Sequence, residues 1–361
     1  MKNTFGNSVA FTVFGESHGE AIGAVIDGMA PGIAVDFDFI SEQLSLRRPV
    51  GKISTPRSEK DNFSIVSGVF NGKTTGTPIC ILIPNEDTRS KDYNYGVARP
   101  GHADFTAYAK YNGFEEYRGG GHFSGRITAA ITAAGAIAIS ALRSKGIVIG
   151  THIKSIHGVS DRDFSCLSED INNINKKEFA VLDDKAKESM IKAIETARND
   201  NDSVGGVLET AVIGLPVGVG EPWFDTVEGV LSHAVFSIPA VKGIEFGAGF
   251  KFAEMTGSEA NDEFEIKDNK VVTRTNNNSG INGGITNGMP IVFKTVIKPT
   301  PTISKPQSTV DFLKKENTEI CAGGRHDPCI VHRARVVIDS VTALALCDLL
   351  AVKFGTDWLA K

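Results

Sequence analysis

The sequence predicts an α+β fold in a single domain spanning residues 1–361, and three observations carry that prediction. Segments with strand alternation and segments with helical periodicity are intermixed, without the regular strand–helix–strand rhythm of a doubly wound sheet. No low-complexity linker divides the chain. The composition, 41% hydrophobic and 22% charged over 361 residues, suits a globular protein with a large core.

The elements follow in order. Short strands are expected at 9–14, 24–27, 63–70 and 79–83. A helix is expected at 39–48, with Asp36 or Asp38 as its cap and Pro49 as its stop. The clearest helix is 128–145, which is Ala-rich, follows Ser124 and Gly125, and ends at Gly146. It is apolar nearly all round, so it belongs in the core. A strand at 147–156 comes next, then an amphipathic helix at 183–198. Residues 206–217 and 291–298 alternate like strands, and 336–354 reads as a long apolar helix. The polar stretches 161–177 and 259–278 read as surface excursions.

Charge is distributed unevenly. Formal net charge is -5, yet three segments are cationic. One runs Tyr117-Arg118-Gly119-Gly120-Gly121-His122-Phe123-Ser124-Gly125-Arg126-Ile127-Thr128. Another runs Gly323-Gly324-Arg325-His326-Asp327-Pro328-Cys329 and on to His332, Arg333 and Arg335. The third, from Gln43 to Ser58, holds three Arg, one Lys and no acid. Cations gathered among glycines point to a site for something small and multiply anionic. The acidic balance argues against nucleic acid as a partner. No apolar run approaches the ~18 residues of a spanning helix. The N-terminus lacks a secretory apolar region, and the five cysteines form no CxxC pair, so a reducing cytoplasm is expected.

Glycine at 119–121 lets backbone approach a ligand closely, and Ser124 can cap the helix that follows. A plain loop-to-helix junction is the bland alternative, and Arg118, His122 and Arg126 without an acid argue against it. The glycine spacing is wrong for a dinucleotide fingerprint, and 141–150 holds no acid for a ribose. Gly15-Glu16-Ser17-His18-Gly19 formally matches the nucleophile elbow, but a strand-like segment follows where a helix is required. His18 is better suited to donating a proton in a cleft, with a satisfied structural histidine as the alternative. In Arg99-Pro100-Gly101-His102-Ala103-Asp104, Asp104 is expected to cap a helix beginning near Phe105. The spacing of His326, Cys329 and His332 fits no common zinc site, so no metal is expected. Asp327 suits an acid/base role, or a surface turn paired with Arg325.

These motifs resemble those of the chorismate synthase family, in order and spacing, over nearly the whole chain. They are Phe14-Gly15-Glu16-Ser17-His18-Gly19, Arg47-Arg48-Pro49, Arg99-Pro100-Gly101-His102-Ala103-Asp104, Tyr117-Arg118-Gly119-Gly120-Gly121 with Ser124 and Arg126, and Gly324-Arg325-His326-Asp327-Pro328-Cys329. Ala240-Val241-Lys242-Gly243 and Lys298-Pro299-Thr300 match as well. The chain departs from the usual family pattern around His122 and Phe123 and at Pro239.

The resemblance implies a β-α-β sandwich, a homotetramer, and a lyase acting late in aromatic amino acid biosynthesis. Its substrate would be 5-enolpyruvylshikimate 3-phosphate, converted to chorismate and phosphate by 1,4-anti elimination with reduced FMN. By motif, His18 would protonate the departing phosphate and His102 the flavin at N1. Asp327 would take a proton from flavin N5, and Ser17 and Ser124 would support the proton network. Arg47, Arg48 and Arg126 are the expected substrate clamps. Flavin contacts would map to His122, Phe123, Ser124, Pro239, Ala240, Gly283, Lys298, Pro299, Thr300, Pro301, Thr302 and Arg325. With no dinucleotide fingerprint, an external flavin reductase or another NADPH-derived source of reductant is expected.

Overall fold

The computed structural model describes residues 2–49, 51–55, 59–87, 94–322 and 327–360. Two antiparallel five-stranded sheets enclose a layer of helices. The first sheet contains β1 (Thr4–Phe5), β2 (Ala10–Gly15), β3 (Ala21–Asp27), β4 (Ser64–Ser67) and β5 (Ile79–Pro84), ordered β1-β2-β3-β5-β4. The second contains β6 (Val148–Ile156), β7 (Val159–Ser160), β8 (Gly206–Ile213), β9 (Val241–Phe246) and β10 (Ile291–Ile297), ordered β9-β10-β8-β6-β7. Among the described residues, seven helices of eight or more residues complete the frame: α1 (Phe37–Arg47), α2 (Asp104–Tyr111), α3 (Thr128–Ser144), α4 (Leu167–Ile174), α5 (Asp184–Asn199), α6 (Val227–Phe236) and α7 (Val331–Phe354).

Period-two patterning explains the inner faces. On β5, Ile79, Ile81 and Ile83 are fully buried while the residues between them are not. These isoleucines meet α3, which also touches β3 and α7. Helix α7 in turn covers β6 and β8. Each fully buried Ile or Leu in this layer contributes ~1.5–3 kcal/mol relative to exposure. The helices approach closely because Gly135 lacks a side chain: a Cβ there would lie 2.2 Å from Ser340 Cβ. The segment Gly125–Ser144 is long and apolar enough to cross a membrane, but 89% of its apolar window is buried inside the protein.

Polar groups on α7 are placed with equal care. Asp348 Oδ1 accepts the backbone N–H groups of Ser8 and Val9 at 2.7 and 2.9 Å, and that of Asn7 at 3.0 Å. The turn into β2 is thereby fastened to the last long helix. Asp339 Oδ1 accepts from Thr151 Oγ1 on β6 at 2.6 Å. Arg335 lies 3.7 Å from Asp339, and burial pushes the carboxyl up and the guanidinium down.

The excursion 161–177 is not merely a surface loop. It contains α4, whose Ile171 and Ile174 are fully buried against the second sheet. Gly150 makes room, since a Cβ there would sit 2.8 Å from Ile171 Cγ2. Within 259–278 an exposed hairpin pairs Phe264–Lys267 with Lys270–Thr273. Asp36 caps α1 by accepting from Phe39 N–H at 2.9 Å, so that helix begins before 39. The strand expected through 217 ends at Ile213, where Gly214 turns the chain with φ +85°. The helix expected from 336 begins at Val331.

Candidate active site

Three cationic turns converge on one cavity of about 800 Å³ between the two sheets' ends. The turn between β2 and β3 carries Ser17 and His18. It is held from outside by Asn85, whose Nδ2 donates to the Glu16 and Gly19 carbonyls at 2.9 and 2.8 Å. Ser17 is fully buried, and a strand follows it. A strand here, in place of a helix, excludes the nucleophile elbow.

The glycine segment runs alongside. Gly119, Gly120 and Gly121 have φ of +62°, +82° and +53°, a succession that residues with a side chain rarely adopt. Space forbids side chains as well. A Cβ on Gly119 would fall 2.5 Å from His18 Cδ2, and one on Gly120 would fall 3.1 Å from His102 Cε1. His18 and His102 therefore rest against neighbouring residues of one bare strip of backbone. The strip is fixed to β2, because Ser17 N–H donates to Gly121 O at 3.0 Å and His122 Nδ1 to Gly15 O at 2.8 Å. Ser124 then accepts from Arg126 N–H at 3.3 Å and opens the run into α3.

Asp104 does not cap α2. Its carboxylate turns back instead, taking Arg99 Nε at 2.8 Å and Arg99 N–H at 2.9 Å on Oδ2. Its Oδ1 receives Arg99 Nη2 at 2.6 Å and lies 2.8 Å from His102 Nδ1. Burial raises this carboxyl's pKa, but Arg99 and His102 outweigh burial and hold it well below the usual range.

The arginines form the floor. Arg47 donates through Nε to Thr128 Oγ1 at 2.9 Å and through Nη2 to Gly125 O at 2.8 Å. Arg126 is buried, with Nε on Asn85 Oδ1 at 2.9 Å, Nη2 on Pro84 O at 3.1 Å and Nη1 on Asp61. Arg47, Arg48 and Arg126 all address the buried carboxylate of Asp61, so three positive charges share that one partner. Arg48 Nε is buried without a hydrogen-bond acceptor among the described residues. A donor left in that state favours an anion in the cavity.

Asp327 lies across the cavity. It accepts Thr55 N–H at 2.8 Å and pairs with Arg333 Nη1, while Arg333 Nε donates to Arg47 O at 2.8 Å. His102 and Asp327 both line the cavity, and His18 sits behind Gly119, which lines it too. Arg325 and His326 lie outside the described residues, and so does the pairing of Asp327 with Arg325 that the sequence offered as its alternative.

The opposite wall comes from the second sheet. Pro239 and Ala240 precede β9, Lys298 follows β10, and Thr300, Pro301 and Thr302 continue from it. Lys298 Nζ donates to Gly101 O at 2.6 Å, which ties this wall to the His102 turn. Burial, then repulsion from Lys242, lowers the Lys298 pKa. Thr300 Oγ1 is buried without a hydrogen-bond partner among the described residues. His122, Phe123 and Ser124 line the cavity; Pro299 and Gly283 do not, and Gly283 turns a small hairpin joining Ile281–Asn282 to Ile285–Thr286.

Sequence reasoning passed over Asp61, Asn85, Arg99, Lys242 and Arg333. Lys242 and Arg333 lay inside quoted motifs, and Arg99 opened one. Asp61 and Asn85 carried no local signal. Behind His102 a smaller cavity of about 310 Å³ is lined by Tyr95, Tyr117, Glu115 and Phe312. Fewer of the cationic groups reach it, so the larger cavity is the better candidate for the chemistry.

Comparisons with known proteins place the whole chain in one family. A family model described as chorismate synthase matches residues 9–351. A chorismate synthase of Pyrococcus abyssi is 47% identical over 358 residues, covering 99% of both chains. One from Thermococcus gammatolerans is 44% identical over 346 residues, covering 95% of this chain and 96% of its own. A crystal structure of chorismate synthase superimposes with a TM-score of 0.77 at 29% identity, covering 98% of this chain and 94% of the other.

Proposed function

The chain belongs to the chorismate synthase family, and we propose that its large cavity holds reduced FMN against 5-enolpyruvylshikimate 3-phosphate. The family reaction is a lyase step that releases phosphate and leaves chorismate. The observation that carries the proposal is the meeting of His102, Asp327 and the Arg47–Arg48–Arg126 group around one cavity, with His18 one glycine behind.

The residues fit such a pair of guests. A cavity of about 800 Å³ is in the upper part of the ~300–1,000 Å³ range of small-molecule sites. Two phosphates need two cationic stations. Arg48, with its unmatched Nε, suits the substrate side. Lys242, Lys298 and the unpartnered Thr300 hydroxyl suit the flavin side, with Pro239, Ala240, Pro301 and Thr302 beside them. His122, Phe123 and Ser124 would complete the flavin's surroundings, while Gly283, Pro299 and Arg325 stay assigned by motif alone.

When bound, reduced flavin lends electron density to the breaking C–O bond and recovers it. The remaining work falls to the chain. His18 gives a proton to the departing phosphate; the neighbouring Glu116 carboxyl is held down first by its hydrogen bond from Arg118, with a smaller contribution from His18. His102 exchanges a proton at Nε2. Asp327, oriented by Thr55 and Arg333, accepts one at its carboxylate. Ser17 and Ser124 relay or orient, Ser17 with its Oγ against Gly119. Arg47 and Arg126 fix the charge of the floor before substrate arrives, which lowers the reorganisation the reaction needs. In this reading the chain works as one catalytic domain, assembles as a homotetramer in the cytoplasm, and takes reducing equivalents from an external, NADPH-fed source. Exposed Trp223, Phe224 and Phe250 support assembly, and five free cysteines support a reducing compartment.

The test is anaerobic. Protein, substrate and reduced FMN should yield chorismate absorbance and free phosphate together, and omission of flavin should abolish both. Equal turnover without flavin would overturn the cofactor assignment.

A further inference from the structure

We infer that Asp104 is a positioning residue: through His102 Nδ1 it fixes the imidazole tautomer and makes Nε2 the atom that carries the exchangeable proton. This rests on the role given above to His102 and deepens it.

Two contacts compete at Nδ1. Arg99 Nη2 lies 3.1 Å away and can only donate, whereas Asp104 Oδ1 lies 2.8 Å away and can only accept while ionised. Nδ1 cannot satisfy both. The carboxylate contact is the shorter and has a full charge on the acceptor, so it prevails and Nδ1 keeps its hydrogen. Arg99 Nη2 is already donating to the same Oδ1 at 2.6 Å. Nε2 then faces the bare backbone of Gly120, where an added Cβ would sit 3.2 Å away; His102 itself lines the large cavity, while Gly120 lines the smaller one behind it. A histidine held by a carboxylate at one nitrogen returns to a single neutral form after each proton transfer.

The carboxylate is itself held rigidly. Every partner of Asp104 in this cluster is a donor: Arg99 N–H, Nε and Nη2, and His102 Nδ1. Asparagine cannot replace it. Its amide NH2 must confront either the two Arg99 donors on Oδ2, or Nη2 and Nδ1 on Oδ1. In the first case the clamp opens, and in the second the imidazole tautomer flips. Either way Nε2 loses its assignment, although the volume is unchanged.

The test is a double-mutant cycle on the full chain with reduced FMN and substrate. Asp104→Asn should lower kcat by ~10²-fold while moving substrate KM by less than about 3-fold. In a His102→Ala background the same change should lower kcat by less than about 3-fold. Asp104→Glu should recover part of the loss. Nitrogen-15 spectra of the histidine-labelled wild type, at a pH where His102 is neutral, should show hydrogen on Nδ1. A neutral wild-type ring with hydrogen on Nε2 would overturn the inference even if every Asp104 variant fails to fold. So would two substitutions that multiply, with His102→Ala itself damaging. If His102→Ala leaves turnover intact, the role of His102 falls first and the inference falls with it.

Discussion

The two sheets deliver different things to the same cavity. The first sends turns dense with titratable groups: His18 after β2, and the arginines of α1 and the α3 approach. The second sends a wall of Pro239, Ala240, Thr300 and Pro301 in which the charged groups are lysines. One side is wired to specific partners through Asp61, Asn85 and Glu116. The other offers surface and two ammonium groups. On the function proposed above, the contrast becomes a division of labour, with proton and phosphate handling on the first side and cofactor seating on the second. It also predicts that damage on each side should look different in kinetics.

The largest expected effect is on turnover. His18→Ala should lower kcat by ~10³-fold, equivalent to about 4 kcal/mol of barrier, with KM little changed. Steady-state assay of chorismate formation measures both, and a rise in KM alone would erase the division. Next comes stability on the same side. Arg126 and Asp61 have side chains only 3% and 1% exposed, and Arg126→Met removes the closest of the three cations on Asp61 together with the buried donors to Asn85 Oδ1 and Pro84 O. Loss of about 3 kcal/mol is expected by denaturant unfolding.

A third test uses acid. His332 is buried against Ser54 at 2.8 Å, and burial, then Arg333, pushes its pKa down to about 3 from 6.5. A depressed histidine is neutral when folded, so its stabilisation is complete above pH 6.5 and drains away as pH falls toward 3. By pH 5 the loss should be about 2 kcal/mol, absent in His332→Gln. His152 has the opposite sign. Burial lowers it, but Asp161 at 3.1 Å and Glu209 at 2.9 Å outweigh burial and raise it. Its contribution is complete below its ordinary 6.5 and is lost as pH climbs through the raised value. The smallest effect belongs to the cofactor wall. Thr300→Val should weaken flavin by ~1 kcal/mol, about 5-fold, with kcat at saturating flavin unchanged. Titration of flavin fluorescence reads it, and a fall in saturated kcat would argue that the wall takes part in chemistry.

The charged half was the more legible in sequence, for a physical reason. Its groups lie in short glycine-rich turns, where residue type and spacing declare themselves within a few positions. The helix of 128–145 was equally plain, since an unbroken apolar surface has one destination. Partnerships across long separations were not legible. Arg126 and Asp61 stand 65 residues apart, and nothing near Asp61 marks it. Asp104 was misread because a lone acid before a helix suits a cap, and only the folded turn shows Arg99 outcompeting the helix N–H groups. The burial of α4 was hidden by its polar composition, with its contact depending on space opened by Gly150 on another element.

The Asp348 clamp has a consequence for how the protein is made. The turn it secures leaves the ribosome well before its partner, which emerges about 340 residues later. Helix α7, which lies against both α3 and the second sheet, arrives equally late. The β2–β3 hairpin must therefore wait, with its inner face uncovered, until that distant helix has been made. That interval is when a nascent chain of this kind most needs chaperone protection.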